Sequence, residues 1–192
     1  MLRVAVLATG GTIATRTDGP GTAVARVSGR ELAYELPLPP GGAVEAEDVG
    51  TDTTEETAMF LDLDPDDSRP IVLAGAQRPA DAPDRNGPRN LADAMAVAAH
   101  PAARGLGTLL VFDGVVPPAW GAAKSQTLAS AAFSAATGPL GWVRGGALHV
   151  EAGPRRRPGP ALRSVDLNAS SSPRCSAPTT TSRPYEPRSP DT

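Results

Sequence analysis

Three scarcities bound what this 192-residue chain is. It has one cysteine, Cys175, so no internal disulfide framework is available to it. Aromatics make up only 4% of the residues while Gly and Pro number 20 and 21, so any core is built from small side chains. No apolar run approaches the roughly 20 residues that cross a bilayer. The amino terminus does not read as a secretion signal, because residues 2–8 alternate small and branched side chains like a strand before Gly10 and Gly11 interrupt them. A net charge of −3 gives no electrostatic reason to expect nucleic acid or an anionic membrane as partner. A soluble cytoplasmic chain of one domain, or one domain and a fragment of another, is the expectation.

The fourth scarcity is chemical. Of 18 basic residues, 17 are Arg and a single one, Lys124, is Lys. An amine can lose its proton when desolvated, whereas a guanidinium stays charged. By itself Lys124 reads as an ordinary surface lysine, singled out only by the count.

What is present alternates between strand-like and helix-like segments. Residues 2–8 (LRVAVLA) read as a buried strand ending in Thr9-Gly10-Gly11-Thr12. Residues 15–50 are rich in Gly, Pro and charge and read as loop, with a short helix near 30–36. The segment GTDTTEETAMFLDL (50–63) carries a helix start: Asp52 or Thr53 as N-cap, Glu55 and Glu56 in the first turn, and Ala58, Met59, Leu61 and Leu63 following. A second strand is expected in RPIVLAGAQRP (69–79), an alanine-rich helix from Asn86 or Pro88 to about 100, and a third strand in 105–116. The pattern predicts an α/β domain, a three-layer arrangement in which 2–8, 71–75 and 108–112 are neighbours in one sheet with helices on its faces. From about 154 to 192 the text changes to eight prolines, seven serines and seven arginines with almost no large apolar residue. Such a tail cannot bury enough apolar surface to offset an ordering entropy of roughly 1–2 kcal/mol per residue, and it is expected to be disordered.

Two short motifs place hydroxyls where ligands bind. Glycines after a strand permit a tight turn and close backbone approach, although a lone TGGT is equally a plain strand-to-loop turn. It does not fit a GxGxxG dinucleotide fingerprint. Gly50-Thr51-Asp52-Thr53 stands at the mouth of a helix, where free N–H groups and the helix dipole favour an anion or polarised carbonyl, and where capping alone also accounts for the residues.

Read together and in order, LATGGTIA, GTDTTEETAMFLDL, VLAGAQRP, NGPRNLADA and GPLGWV resemble the amino-terminal domain of the bacterial-type L-asparaginase family, which includes the glutaminase-asparaginases. The resemblance covers about residues 2–160, leaving 161–192 as tail. It implies a threonine amidohydrolase acting on a small-molecule amide, L-asparagine or L-glutamine. Thr12 would attack the side-chain carbonyl carbon. Thr51, Asp52 and Lys124 would form a triad in which the lysine keeps the Thr51 hydroxyl reactive and Asp52 orients the substrate amino group. Backbone N–H groups near Gly11 and Thr51 would bind substrate and its oxyanion. Ammonia would leave through an acyl-enzyme ester that water then opens. The resemblance implies no metal or organic cofactor, no nucleic acid or membrane partner, and homo-oligomeric assembly.

The sequence also departs from the family pattern. VEAEDV, which reads as acidic and not strand-like, precedes Gly50, with Val49 where a histidine is usual. Roughly forty residues usual before GTDT are missing, including those that hold the substrate carboxylate, and no residue is nominated in their place. Tyr34 is the only tyrosine near the segment that would form a lid, and it is not assigned the family tyrosine's role. The change of text after about residue 160 reads as the family's carboxy-terminal domain being absent, which is the expectation here. Two readings stay open: an asparaginase-type amidohydrolase with slow or no turnover, and a non-catalytic truncated remnant or weak amino-acid-binding module.

Overall fold

The computed structural model describes residues 3–19, 21–37, 42–49, 53–63, 68–127 and 129–151. In chain order its elements are β1 (Arg3–Ala8), a 3₁₀ turn (Thr12–Ala14), β2 (Thr15–Asp18), β3 (Thr22–Ala25), α1 (Gly29–Tyr34), β4 (Ala43–Asp48), α2 (Thr54–Asp62), β5 (Ile71–Ala74) and α3 (Gly87–Ala99). A second 3₁₀ turn (Pro101–Ala103) leads to β6 (Thr108–Val111), β7 (Val115–Val116), β8 (Ala122–Lys124), β9 (Phe133–Ala135), β10 (Gly141–Arg144) and β11 (Ala147–Val150). The expected tail from 161 lies outside the described residues.

The α/β layering is built around β5 and β6, which run parallel with Ile71 opposite Thr108 and Ala74 opposite Val111. All four residues of β6 are buried. Side chains alternate across a strand, and β6 shows it: Leu109 and Val111 enter a cluster with Ala94 and Val97 of α3, whereas Leu110 joins Ala58 of α2, Phe112 and Phe133. Helix, sheet and helix therefore form three layers, as the apolar runs predict. Asp62, in the last turn of α2, accepts the Thr108 N–H at 2.8 Å and so fixes where β6 begins.

The expectation of one continuous sheet is corrected. β1 pairs parallel with β4, β5 pairs with β6, and the two pairs are separate sheets. The reading of VEAEDV as non-strand is corrected with it, since β4 runs alongside β1 in register from Arg3–Ala43 to Ala8–Asp48. Its acidic residues are compatible with a strand because Glu45 and Glu47 sit on the exposed face while Val44 and Ala46 are half-buried. Residues 15–50 are also more ordered than a loop. β2 and β3 form an antiparallel hairpin, and α1 is held by a capping box in which the Ser28 hydroxyl accepts the Glu31 N–H while the Glu31 carboxylate accepts the Ser28 N–H at 2.8 Å. The Ser28 N–H, and with it the Ser28 hydroxyl donating to Glu31 Oε2 at 2.9 Å, hold the Glu31 carboxyl below its usual range.

Candidate active site

The TGGT turn follows β1 directly. Gly10 and Gly11 have φ of 87° and 77°, and the Gly11 ψ of −169° puts it in a region open essentially to glycine alone. Among the described residues nothing lies within 4 Å of where a Gly11 Cβ would stand, so the glycine is required by the backbone path. The turn is then locked: Ala14 N–H donates to Gly11 O at 3.0 Å and the Thr15 hydroxyl donates to Thr12 O at 2.9 Å. Ile13 and Ala14 are buried against Ala76 while Thr12 is exposed between these anchors. Its hydroxyl has no hydrogen-bond partner among the described residues.

Thr51 and Asp52 lie outside the described residues. The helix they precede is described. Thr53 occupies the N-cap position of α2, its side chain makes no capping bond, and its carbonyl accepts both the Thr57 N–H and the Thr57 hydroxyl. Glu55 and Glu56 stand in the first turn, a favourable place for carboxylates because of the unpaired N–H groups there.

Lys124 ends β8, which pairs with β9 in a short hairpin that places Lys124 opposite Phe133. Phe133 is buried and stacks at a tilt on Phe112, with ring centroids 4.4 Å apart. The lysine strand is thus fastened to the layered core through its partner. It is also fastened to α2, because the Lys124 N–H donates to Glu55 Oε1 at 3.3 Å. Lys124 therefore sits beside the first turn of the helix that follows Thr51 and Asp52. Among the described residues no hydrogen bond joins Lys124 to Thr12. Tyr34 ends α1 with 91% of its surface exposed.

The segment after β5 was not singled out as functional from its sequence, yet it borders the Thr12 turn. Ala76 packs on Ile13 and Ala14, and the Ala80 N–H donates to Thr15 O at 2.8 Å. One residue further, the Asp81 carboxylate accepts the Thr17 N–H at 2.8 Å, a bond that holds the Asp81 carboxyl below its usual range. At Gly87, the first residue of α3, an added Cβ would stand 2.9 Å from the Ile13 side chain. Glycine there lets the helix approach the turn.

A family profile described as "Asparaginase, N-terminal" matches residues 48–156, a stretch that contains Thr51, Asp52 and Lys124 and begins after Thr12. Over 109 residues the chain is 38% identical to L-asparaginase 2 of Escherichia coli (strain K12), a match covering 56% of this chain and 31% of that protein. It is 42% identical over 113 residues to a probable L-asparaginase of Deinococcus radiodurans, covering 57% and 35% respectively. The chain thus spans about a third of the length of these relatives. The crystal structure of a probable cytoplasmic L-asparaginase from Campylobacter jejuni superposes with a TM-score of 0.69 at 26% identity, covering 79% of this chain and 57% of that one. Among the described residues no helix is long and apolar enough to cross a membrane. With a profile match over more than half its length and a shared fold, the chain belongs to the asparaginase family, of which it carries part of the amino-terminal domain.

Proposed function

We propose that this chain carries the asparaginase-type site for amide hydrolysis, with L-asparagine or L-glutamine as the substrate class. Thr12 is the nucleophile, Lys124 takes up the proton that keeps Thr51 reactive, and Asp52 orients the substrate amino group. Residues 1–160 form the domain that carries them. The observation that supports this most is the bond from the Lys124 backbone N–H to the Glu55 carboxylate, which places the chain's only lysine beside the helix that Thr51 and Asp52 precede. An arginine there would remain charged and take no proton from a threonine. The Thr12 turn supports the nucleophile assignment, because its two positive-φ glycines present an exposed hydroxyl on a rigid base.

Turnover is expected to be slow. Thr12 follows β1 and Lys124 is fastened to the β5–β6 layers, and these belong to separate sheets. A misplacement of about 1 Å costs on the order of a hundredfold in rate. The same separation favours a second reading, an amino-acid-binding module without turnover. An ammonia-release assay on L-asparagine decides between them. Turnover that is abolished in Thr12→Ala and falls steeply in Lys124→Arg supports the hydrolase. Saturable L-asparagine binding with no ammonia released supports the binding module, and activity unchanged in Thr12→Ala overturns the assignment of the nucleophile.

A further inference from the structure

Asn86 precedes α3 at the position from which a side chain normally caps a helix, but its backbone is helical (φ −107°, ψ −4°) and its side chain makes no capping bond. Capping residues take extended backbone so that the side chain can reach the N–H groups of the first turn. Asn86 points back to the preceding loop. Its Oδ1 accepts the Gln77 N–H at 3.0 Å and the Arg78 N–H at 3.3 Å. The amide cannot be reversed, because Nδ2 offers only donors to two donors. One cost of the arrangement is visible: Asn86 Nδ2 is buried with no hydrogen-bond partner among the described residues. One helical turn later Asn90, fully buried, donates Nδ2 to Gly75 O at 2.9 Å and accepts the Asp113 N–H at 3.0 Å. Two asparagines of one helix region therefore fasten three consecutive peptide units after β5, at Gly75, Gln77 and Arg78.

Between those fastened units lies Ala76, against which Ile13 and Ala14 pack immediately after Thr12. We propose that Asn86 is a positioning residue for the candidate site: its side-chain oxygen fixes the Gln77–Arg78 loop, and through Ala76 that loop supports the turn presenting Thr12. The inference rests on the assignment of Thr12 as nucleophile. An unpaired Nδ2 contributes nothing to this role, and the acceptor oxygen contributes all of it. The role therefore predicts that aspartate substitutes for Asn86 and alanine does not.

The test uses the full chain with Asn86→Ala and Asn86→Asp, read by amide hydrogen exchange and by ammonia release from L-asparagine. In Asn86→Ala, exchange at Gln77 and Arg78 rises about tenfold or more relative to Val72 and Leu73, since exchange reports local opening. The same variant lowers kcat about tenfold with KM little changed, the pattern of lost transition-state geometry. Asn86→Asp keeps both readouts within about twofold of the unsubstituted chain. Unchanged exchange at Gln77 and Arg78 in Asn86→Ala overturns the proposal. So does an Asn86→Asp variant as impaired as Asn86→Ala, and this arm decides alone where the alanine variant does not fold. Absence of ammonia release from the unsubstituted chain overturns the proposed hydrolase, while the exchange comparison still decides whether Asn86 holds the loop.

Discussion

Among the described residues two parallel strand pairs, β1–β4 and β5–β6, share a pairing geometry and differ in their surroundings. β6 is buried along its whole length between α2 and α3. β1 alternates between exposed and half-buried residues, with α1 packed against its pair, and Leu7 is 61% exposed. Parallel pairs are ordinarily covered on both faces, so the β1–β4 pair is the less protected of the two. The candidate nucleophile stands at the end of this thinly covered pair, whereas Lys124 is bound to the well-covered one. The difference teaches that burial is concentrated in the β5–β6 half, whereas the Thr12 turn depends on both halves: it ends β1, and Ile13 and Ala14 rest on Ala76 beyond β5. A substitution on the exposed face of β1 can therefore spare stability, while one in the β5–β6 half can reach the turn.

The sharpest way to break the comparison is to truncate one leucine in each half. Leu110 is fully buried in the cluster with Ala58, Phe112 and Phe133. Leu110→Ala is expected to lower stability by about 2–5 kcal/mol, the range for cavity-forming truncations of core leucines. Leu7→Ala is expected to change it by no more than about 0.5 kcal/mol, as for exposed positions. Urea unfolding of both variants checks this. Equal losses would show that the β1–β4 pair is covered in solution by something other than the described residues.

A second, smaller effect sharpens the comparison at the nucleophile turn. Gly11→Ala places a side chain in open space but on a backbone with φ of 77°. The expected cost is therefore backbone strain alone, about 1–3 kcal/mol. Relaxation of that strain would move Thr12, so the activity loss is expected to exceed what the stability loss explains. Ammonia release measured well below the unfolding transition separates the two.

How much of this was legible in the sequence follows from which interactions are local. The strands of residues 71–74 and 108–111 and both long helices are written in continuous apolar runs and first-turn residues, and they stand where expected. The capping box of Ser28 and Glu31 is a four-residue pattern, and the short helix it starts was legible too. β4 was missed because its carboxylates were weighed by composition; their period of two places Glu45 and Glu47 together on the exposed face. The partition of strands into separate sheets depends on pairing between distant segments, which no local pattern encodes. At the candidate site, the glycines at 10 and 11 and the solitary lysine are conspicuous in the sequence. Asn86 did not, because an asparagine before a helix reads as a cap, and only the backbone conformation shows that it serves the preceding loop.

The smallest expected effect has the opposite sign and concerns Asp93, on the outer part of the well-covered half. Its side chain is 15% exposed and its Oδ2 is buried with no hydrogen-bond partner among the described residues. Burial pushes the Asp93 carboxyl above its usual range; Arg89 at 3.9 Å opposes the shift and Asp113 adds to it. Arg89 is itself shared, since it lies 3.1 Å from Asp113 and is largely exposed. A carboxyl whose pKa is raised on folding binds more protons in the native state, so its contribution is fully present below the unfolded value. That contribution is lost as pH rises from there through the higher folded value. At neutral pH the charged Asp93 is therefore a net cost. Asp93→Asn removes the charge and keeps the shape, so it is expected to stabilise the chain at neutral pH by less than about 1 kcal/mol. It is also expected to flatten the dependence of stability on pH immediately above the ordinary aspartate range. Unfolding midpoints measured from acid to neutral pH for both proteins provide the check. A variant less stable than the parent at neutral pH would mean that the Arg89–Asp93 attraction outweighs desolvation.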